Sequence, residues 1–442
     1  MKDLTKGSPI KLILSFAMPI FIGYVLQLLY NIVDTRIVGA SLGELSLASV
    51  ATTASLNDLL ITLINGMISG FSILVATYFG AKDDVNIKKA TAATFVLGSG
   101  LAIIISIFTL LFIKPILGIL NVPVELYDQA VAYIRVILVG LIFVALYNSC
   151  AATLRSIGDS LTPLIFLAIS SVLNIVLDIT FIIKLNLGVE GASLATVISQ
   201  CISFILCFIY LWKKYPILHF SANDCIIEKS LLTKLIKAGV SMGLMHSLVT
   251  FGTVALQTVI NTFGSQIIVA HIAARKIQSI CMIPFPVFGQ ALATYCGQNM
   301  GAGEYGRIKK GLRDTIILTS IWDLLVILVS YTICGKLVTA ITASNDPIVI
   351  KNAVAYMKFN SIFYIVTTLI CLIRNAMQGF GDHVTPIISS FIEMGGKILI
   401  ALFLAPFLGY TGIIISEPIV WFFMVIPLLV QLYRNPIMKA KM

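Results

Sequence analysis

Charge is what this chain has least of. Only 11% of its 442 residues are Asp, Glu, Lys or Arg, against about 25% in a soluble globular domain. A water-facing surface over most of the fold is therefore excluded. Histidine is scarce too, with four residues. Neither His246 nor His271 has a suitably spaced partner, which leaves an intramembrane enzyme without a nucleophile–base pair. The eight cysteines lie mostly in apolar stretches and show no C-x-x-C or Cys/His spacing. They read as reduced packing residues rather than a metal or disulfide framework. Alternating strands of about ten residues are missing, which argues against a membrane β-barrel. No repeated selectivity-filter sequence points to a channel. The first apolar segment is long and has no small-residue cleavage site, so it reads as a retained span rather than a signal peptide.

What fills the chain instead is apolar side chain, 58% of residues, with a mean hydropathy of +1.00. Apolar segments fall at about 12–38, 46–76, 91–114, 129–150, 163–183, 192–212, 237–262, 268–299, 312–334, 352–372, 386–408 and 411–433. A spanning helix needs about 20 such residues, and backbone groups in lipid must be satisfied within the segment. The expectation is an all-α polytopic membrane protein with twelve transmembrane helices.

The net charge of +10 is distributed as topology rather than as a nucleic-acid surface. Twenty of the thirty Lys and Arg fall in one alternating set of segments, including Lys2, Lys6, Lys11, Lys88, Lys89, Lys213, Lys229, Arg307 and Lys439. The opposite set holds Arg36, Lys114, Lys184, Arg275, Lys276, Lys336, Lys351 and Lys358, while Arg135 and Lys397 lie within spans. By the positive-inside rule both termini are cytoplasmic.

The chain repeats itself. Leu154–Pro163 aligns with Met377–Pro386, 223 residues later, sharing Gly158-Asp159 and Thr162-Pro163 with Gly381-Asp382 and Thr385-Pro386. Gly80-Ala81 matches Gly301-Ala302 at an offset of 221, and Lys11-Leu12-Ile13 matches Lys234-Leu235-Ile236 at 223. The expected organisation is an N-terminal six-helix lobe over 1–212, a cytoplasmic linker over 213–236 and a C-terminal six-helix lobe over 237–442. Six is even, so both lobes enter the membrane in the same sense. A pseudo-two-fold axis along the membrane normal follows, as in one class of transporters.

Six acids fall inside spans: Asp34, Asp58, Asp178, Asp323, Glu393 and Glu417. Asp34 shares its segment with Pro19, which removes a backbone hydrogen bond, so a bendable helix bearing a buried acid is a candidate moving part. Tyr30 lies one turn before Asp34 on the same face. Asn174 and Asp178 are four apart, and Thr196 reaches a similar depth, roughly 13 Å from the intervening turn at 1.5 Å per residue. An oxygen-only set of this kind suits a proton or a hard cation such as sodium. A satisfied structural polar pair is the alternative for Asn174 and Asp178. Asp58, Gln257, Gln290 and Glu417 are candidates for a substrate cavity, and Pro284 for a hinge in a discontinuous eighth helix. Asp323 reads as a partner for a neighbouring helix. Arg135 and Lys397 could neutralise intramembrane acids.

These residues carry a resemblance. Pro19 and Asp34 fifteen apart, Tyr30, the Asn174/Asp178 pair, Thr196 and the repeated Gly-Asp…Thr-Pro loop together resemble the multidrug and toxic compound extrusion (MATE) family, in its prokaryotic DinF-like branch. The resemblance covers essentially the whole chain. It implies an antiporter, not an enzyme, that exports amphipathic, often cationic small molecules in exchange for protons or sodium. It also implies a cation site at Asp34, Tyr30, Asn174, Asp178 and Thr196, with sodium as one possible occupant of Asp34, Asn174, Asp178 and Thr196. No cofactor is implied, and the expected setting is a monomer in the cell membrane. A second family branch carries acidic ligands on helices seven and ten, and here those helices offer His246, Gln257 and Arg374 but no acid. A lipid or lipid-linked oligosaccharide flippase of the same wider fold class is the alternative function.

Overall fold

A computed structural model describes residues 2–439 apart from 121 and 343, and the backbone alone of Val254. Among the described residues there is no strand. The first helical run, Pro9–Ala81, has 73 residues, which at 1.5 Å each is far longer than a bilayer of about 30 Å. It breaks at Gly43, whose φ of 84° and ψ of 176° leave the helical region at a torsion only glycine adopts freely. Two spans result, α1 (9–42) and α2 (44–81). Then follow α3 (Asp84–Leu111), α4 (Val124–Ser156), α5 (Leu161–Asp178), α6 (Gly188–Lys214) and α7 (Lys229–Ile260). The broken span α8 joins Ser265–Cys281 to Pro284–Gly301, and α9 is Tyr305–Thr332. The bent span α10 joins Pro347–Ile362 to Tyr364–Gly379 at 56°. α11 (Thr385–Leu399) and α12 (Tyr410–Arg434) complete twelve spans among the described residues. Ile104, Val139, Val172 and Leu324 are each about two-thirds exposed, as lipid-facing side chains should be.

The chain forms two compact units, Met18–Gly243 with Met1–Asp3, and Leu244–Met442 with Leu4–Ala17. The division differs from the expected linker boundaries. α7 begins at Lys229 inside the expected 213–236 linker, and its first half packs in the first unit. The first turns of α1 pack in the second unit. The chain thus passes between units just before Pro19, and at the repeat-related point in α7. The remaining connection is also packed: Leu218 is buried, Phe220 lies 5.5 Å from Phe95, and His219 stacks on Trp212 at 4.5 Å.

Close helix packing explains why α7 joins the first unit. Gly66 and Gly70 on α2 face Gly239 and Gly243 on α7. A Cβ on Gly66 would meet Gly243 Cα at 2.9 Å, and one on Gly70 would meet the Ala238 carbonyl oxygen at 2.4 Å. Each pair has G-x-x-x-G spacing, which lets helix backbones touch in lipid. In the second unit Leu4 is fully buried. Its N–H donates to Gln298 Oε1 at 2.9 Å, and its carbonyl accepts from Asn299 Nδ2 and Arg307 Nη2.

The repeated loops are helix caps. Asp159 accepts from the Thr162 N–H at 3.0 Å, the Thr162 hydroxyl at 2.7 Å and the Tyr215 hydroxyl at 2.6 Å. Asp382 repeats the first two bonds with Thr385. The expected discontinuity of α8 is present at Met282-Ile283. The Cys281 carbonyl there accepts from the Trp322 indole N–H at 2.8 Å.

Candidate functional site

Four helices of the first unit bring polar side chains together. Asn174 and Asp178 sit one turn apart near the end of α5, and both are buried, at 1% and 0% exposure. Immediately after Asp178 the helix widens into a π-helical turn, Ile179–Lys184, a device common at functional sites. In the amide orientation that satisfies both of its ends, Asn174 donates to Asp178 Oδ2 at 2.7 Å and to the Tyr30 hydroxyl at 3.1 Å. Its oxygen then accepts from the Thr196 N–H at 3.1 Å. The opposite orientation gives one bond, to Thr196 Oγ1 at 3.3 Å, and turns the amide oxygen toward the carboxylate. The orientation is assigned from these partners.

Asp34 on α1 is half-buried and faces Asp178. Asp178 Oδ1 is otherwise without a partner. Tyr30 directs its hydroxyl at Asn174 and Thr196, one step away from the Asp34 carboxyl group expected from their spacing. The five residues expected to converge, Asp34, Tyr30, Asn174, Asp178 and Thr196, are therefore neighbours. Among the described residues no ion pair reaches either aspartate, and no three His, Cys, Asp or Glu side chains converge as for a metal centre.

Sequence reasoning missed Tyr133 on α4, which faces Asp34 and Asp178. A signal was present: Ala130-Val131-Ala132-Tyr133 recurs as Ala353-Val354-Ala355-Tyr356, again 223 residues on. Asp58 on α2 is exposed and, like Asp34 and Asp178, neighbours Tyr133. α1 stays helical through Pro19, and the break in backbone torsion comes only at its end, at Gly43.

The second unit places two of its three span acids, Glu417 and Glu393, against fixed cations. Glu417 on α12 accepts from Arg275 Nη1 at 2.8 Å, Gln278 Nε2 at 3.1 Å and the Tyr356 hydroxyl at 2.7 Å. Arg275, counted above with the inter-span cations, lies inside the first half of α8. Glu393 sits between Lys397 Nζ at 3.0 Å and Arg374 Nη1 at 3.4 Å. Lys397 thus neutralises an acid as expected, and also donates to Thr253 Oγ1 at 3.2 Å. Asp323 accepts from Thr368 on α10 at 2.8 Å, the interhelical bond expected of it. Gln257 donates to Asn261 just past the end of α7, and Gln290 is half-buried in the second half of α8.

The family model MatE matches residues 19–180 and again 242–403. The chain belongs to the MatE family. The two matches follow the internal repeat, and together they cover most of both units. The "Probable multidrug resistance protein YoeA" of Bacillus subtilis (strain 168) is 29% identical over 96% of this chain and 93% of its own length. The "Multidrug export protein MepA" of Staphylococcus aureus (strain MSSA476) is 24% identical over 93% of this chain and 90% of its own. A solved "Outward-facing conformation of a multidrug resistance MATE family transporter of the MOP superfamily" superposes with a TM-score of 0.91. It covers 99% of this chain and 98% of its own at 23% identity, a likeness of fold. The MATE assignment and the fold make the chain a multi-pass membrane protein of the MATE transporter family.

Proposed function

We propose that this MATE chain is a proton-coupled antiporter that exports amphipathic, often cationic compounds by alternating access, across a cell membrane with both termini cytoplasmic. The observation that carries the coupling is the pair of facing carboxyl groups, Asp34 and Asp178, with no cation paired to either. Two bare carboxylates facing each other repel, and a proton shared between them removes the repulsion. Loading the proton ties α1 to α5, and releasing it frees α1 to move. Tyr30, Asn174, Thr196 and Tyr133 hold the acids in place from α1, α5, α6 and α4. Pro19, beside the point where α1 passes from one unit to the other, is the proposed hinge in the N-terminal half, and Pro284 at the break in α8 is its counterpart. Asp58, Gln257, Gln290 and Glu417 are the proposed contributors to the substrate path.

One observation favours sodium as a second reading. With the Asn174 oxygen turned toward Asp178, a cation between them would join two carboxylates and an amide oxygen, a hard-oxygen set. The flippase reading has less support, because Lys397, one of the two cations expected deep in a span, is paired with Glu393 rather than free for a pyrophosphate.

The test is dye efflux from liposomes holding the purified protein, driven by a pH gradient or by a sodium gradient separately. The pH gradient should drive wild type, and Asp34→Asn should lose that drive while inserting normally. Near-wild-type efflux by Asp34→Asn would overturn the reading, and drive by sodium alone would select the second one. Topology is checked with a single cysteine at Lys229, which an impermeant reagent should not label in intact cells.

A further inference from the structure

At the N-terminal end of α4, four charged side chains surround one recess of about 510 Å3, within the usual range of ligand sites of about 300–1,000 Å3. Lys114 comes from the short helix Ile113–Ile119, Asp128 and Arg135 from α4, and Glu190 from the first turn of α6, with Tyr127 beside them. All four charged groups are exposed. Among the described residues, none of the ion pairs includes any of them. Two cations and two acids therefore share a recess without neutralising one another.

The recess lies where a bilayer surface would be. Leu111, Ile119 and Val124, next to Lys114 and Asp128 in the chain, are 74%, 79% and 90% exposed. Such an apolar rim beside charged groups suits the boundary between acyl chains and headgroups. The charges are also ordered by depth. Glu190 and Asp128 lie within about one turn of the ends of their helices. Arg135 lies seven residues further along α4 than Asp128, about 10 Å deeper at 1.5 Å per residue. A zwitterionic phospholipid has this polarity, its phosphate nearer the acyl chains and its ammonium beyond.

We propose that this recess binds the headgroup of phosphatidylethanolamine, with Arg135 and Lys114 on the phosphate and Asp128 and Glu190 on the primary ammonium. Three N–H donors on that ammonium match carboxylate acceptors. A choline headgroup carries none, and a glycerol headgroup carries no positive charge. The repeat-related positions of Asp128, Arg135 and Glu190 in the second unit are Lys351 and Lys358, at an offset of 223, and Thr411, at 221, so the acids that would select the ammonium belong to the first unit alone.

The test is native mass spectrometry of the delipidated full-length chain, titrated with dioleoyl phosphatidylethanolamine, phosphatidylcholine or phosphatidylglycerol. Ethanolamine lipid should be retained about five-fold better than the other two, the size of a favourable exposed charge pair. The double variant Asp128→Asn, Glu190→Gln should erase that preference, Arg135→Gln should weaken retention of all three, and Glu125→Gln, outside the recess, should change nothing. Mono- and dimethylated ethanolamine lipids on the wild-type chain give a readout that needs no variant, and retention should fall with each methyl group. Equal retention of the three lipids by wild type, no fall on methylation, or a preference surviving in the double variant would each overturn the proposal.

Discussion

The two units keep the same scaffold and arrange opposite electrostatics on it. Tyr133 faces the carboxyl groups of the first unit, and its repeat partner Tyr356 donates to Glu417 in the second. Gly188 and Gly191 at the start of α6 recur as Gly409 and Gly412 at the start of α12, which sets Thr196 opposite Glu417 at an offset of 221. π-helical turns follow α5 and α11 at corresponding places, Ile179–Lys184 and Ile400–Leu404. In the first unit Asp34 and Asp178 lack a fixed counter-charge. In the second, Arg275 holds Glu417, and Arg374 with Lys397 holds Glu393. A carboxylate without a fixed cation can take up and release a mobile one, whereas a carboxylate already paired in a poorly solvated site is tied to its partner. Duplication supplied two equivalent frames, and the placement of three basic side chains made them different.

The sharpest way to break this contrast is to neutralise one acid in each unit. Asp178→Asn should abolish gradient-driven accumulation, which at 100 mV can reach about fifty-fold per charge moved. Glu417→Gln should leave dependence on the gradient intact. Efflux measured across a series of imposed gradients decides the matter, and loss of gradient dependence in Glu417→Gln with Asp178→Asn still coupled would reverse it.

Stability should show the converse. Glu393→Gln leaves two buried cations unpaired and should cost about 3 kcal/mol, seen as a lowered unfolding temperature of the purified protein. Asp178→Asn removes no ion pair and should unfold near the wild-type temperature. Equal losses in the two variants would mean that the paired and unpaired acids are not energetically distinct.

A smaller effect tests whether α7 belongs with the first unit. Gly70→Val would drive a side chain into the α7 backbone at Ala238 and should cost about 2 kcal/mol. Gly395→Ala, where an added Cβ meets nothing within 4 Å, should be close to neutral by the same thermal assay.

The least effect concerns the repeated caps. Asp159→Asn should cost about 1 kcal/mol, and more than Asp382→Asn, because only Asp159 also accepts from Tyr215. Burial works to raise the Asp159 carboxyl group, but hydrogen bonds from Tyr215 and Thr162 outweigh it and hold the group below its usual range. Its folded value is thus depressed relative to the unfolded chain. Its contribution is present above the ordinary carboxylate range and is lost as pH falls through the lowered value. The gap between wild type and Asp159→Asn in unfolding temperature should therefore close in acid.

Much of this was legible without coordinates. Hydropathy fixes twelve helices because lipid leaves the backbone few other options. The spacing of Asn174 and Asp178 places them on one face, and equal distance from a turn places Thr196 at their level. Asp34 and Tyr30 followed from depth along their own helix. Arg275 escaped notice because a cation near a segment boundary reads as an inter-span residue, and only packing shows that it points inward to Glu417. Tyr133 lay in a repeated tetrapeptide whose importance depends on what faces it across the bundle.

By itself the sequence determined the number of spans, the duplication and which helices bear acids, since these depend on local composition and on periods along one chain. Tertiary structure decided which acids have cations and which unit claims the first turns of α1 and α7. Those outcomes depend on side chains from different helices meeting within about 3 Å, and one-dimensional spacing carries no direct record of that.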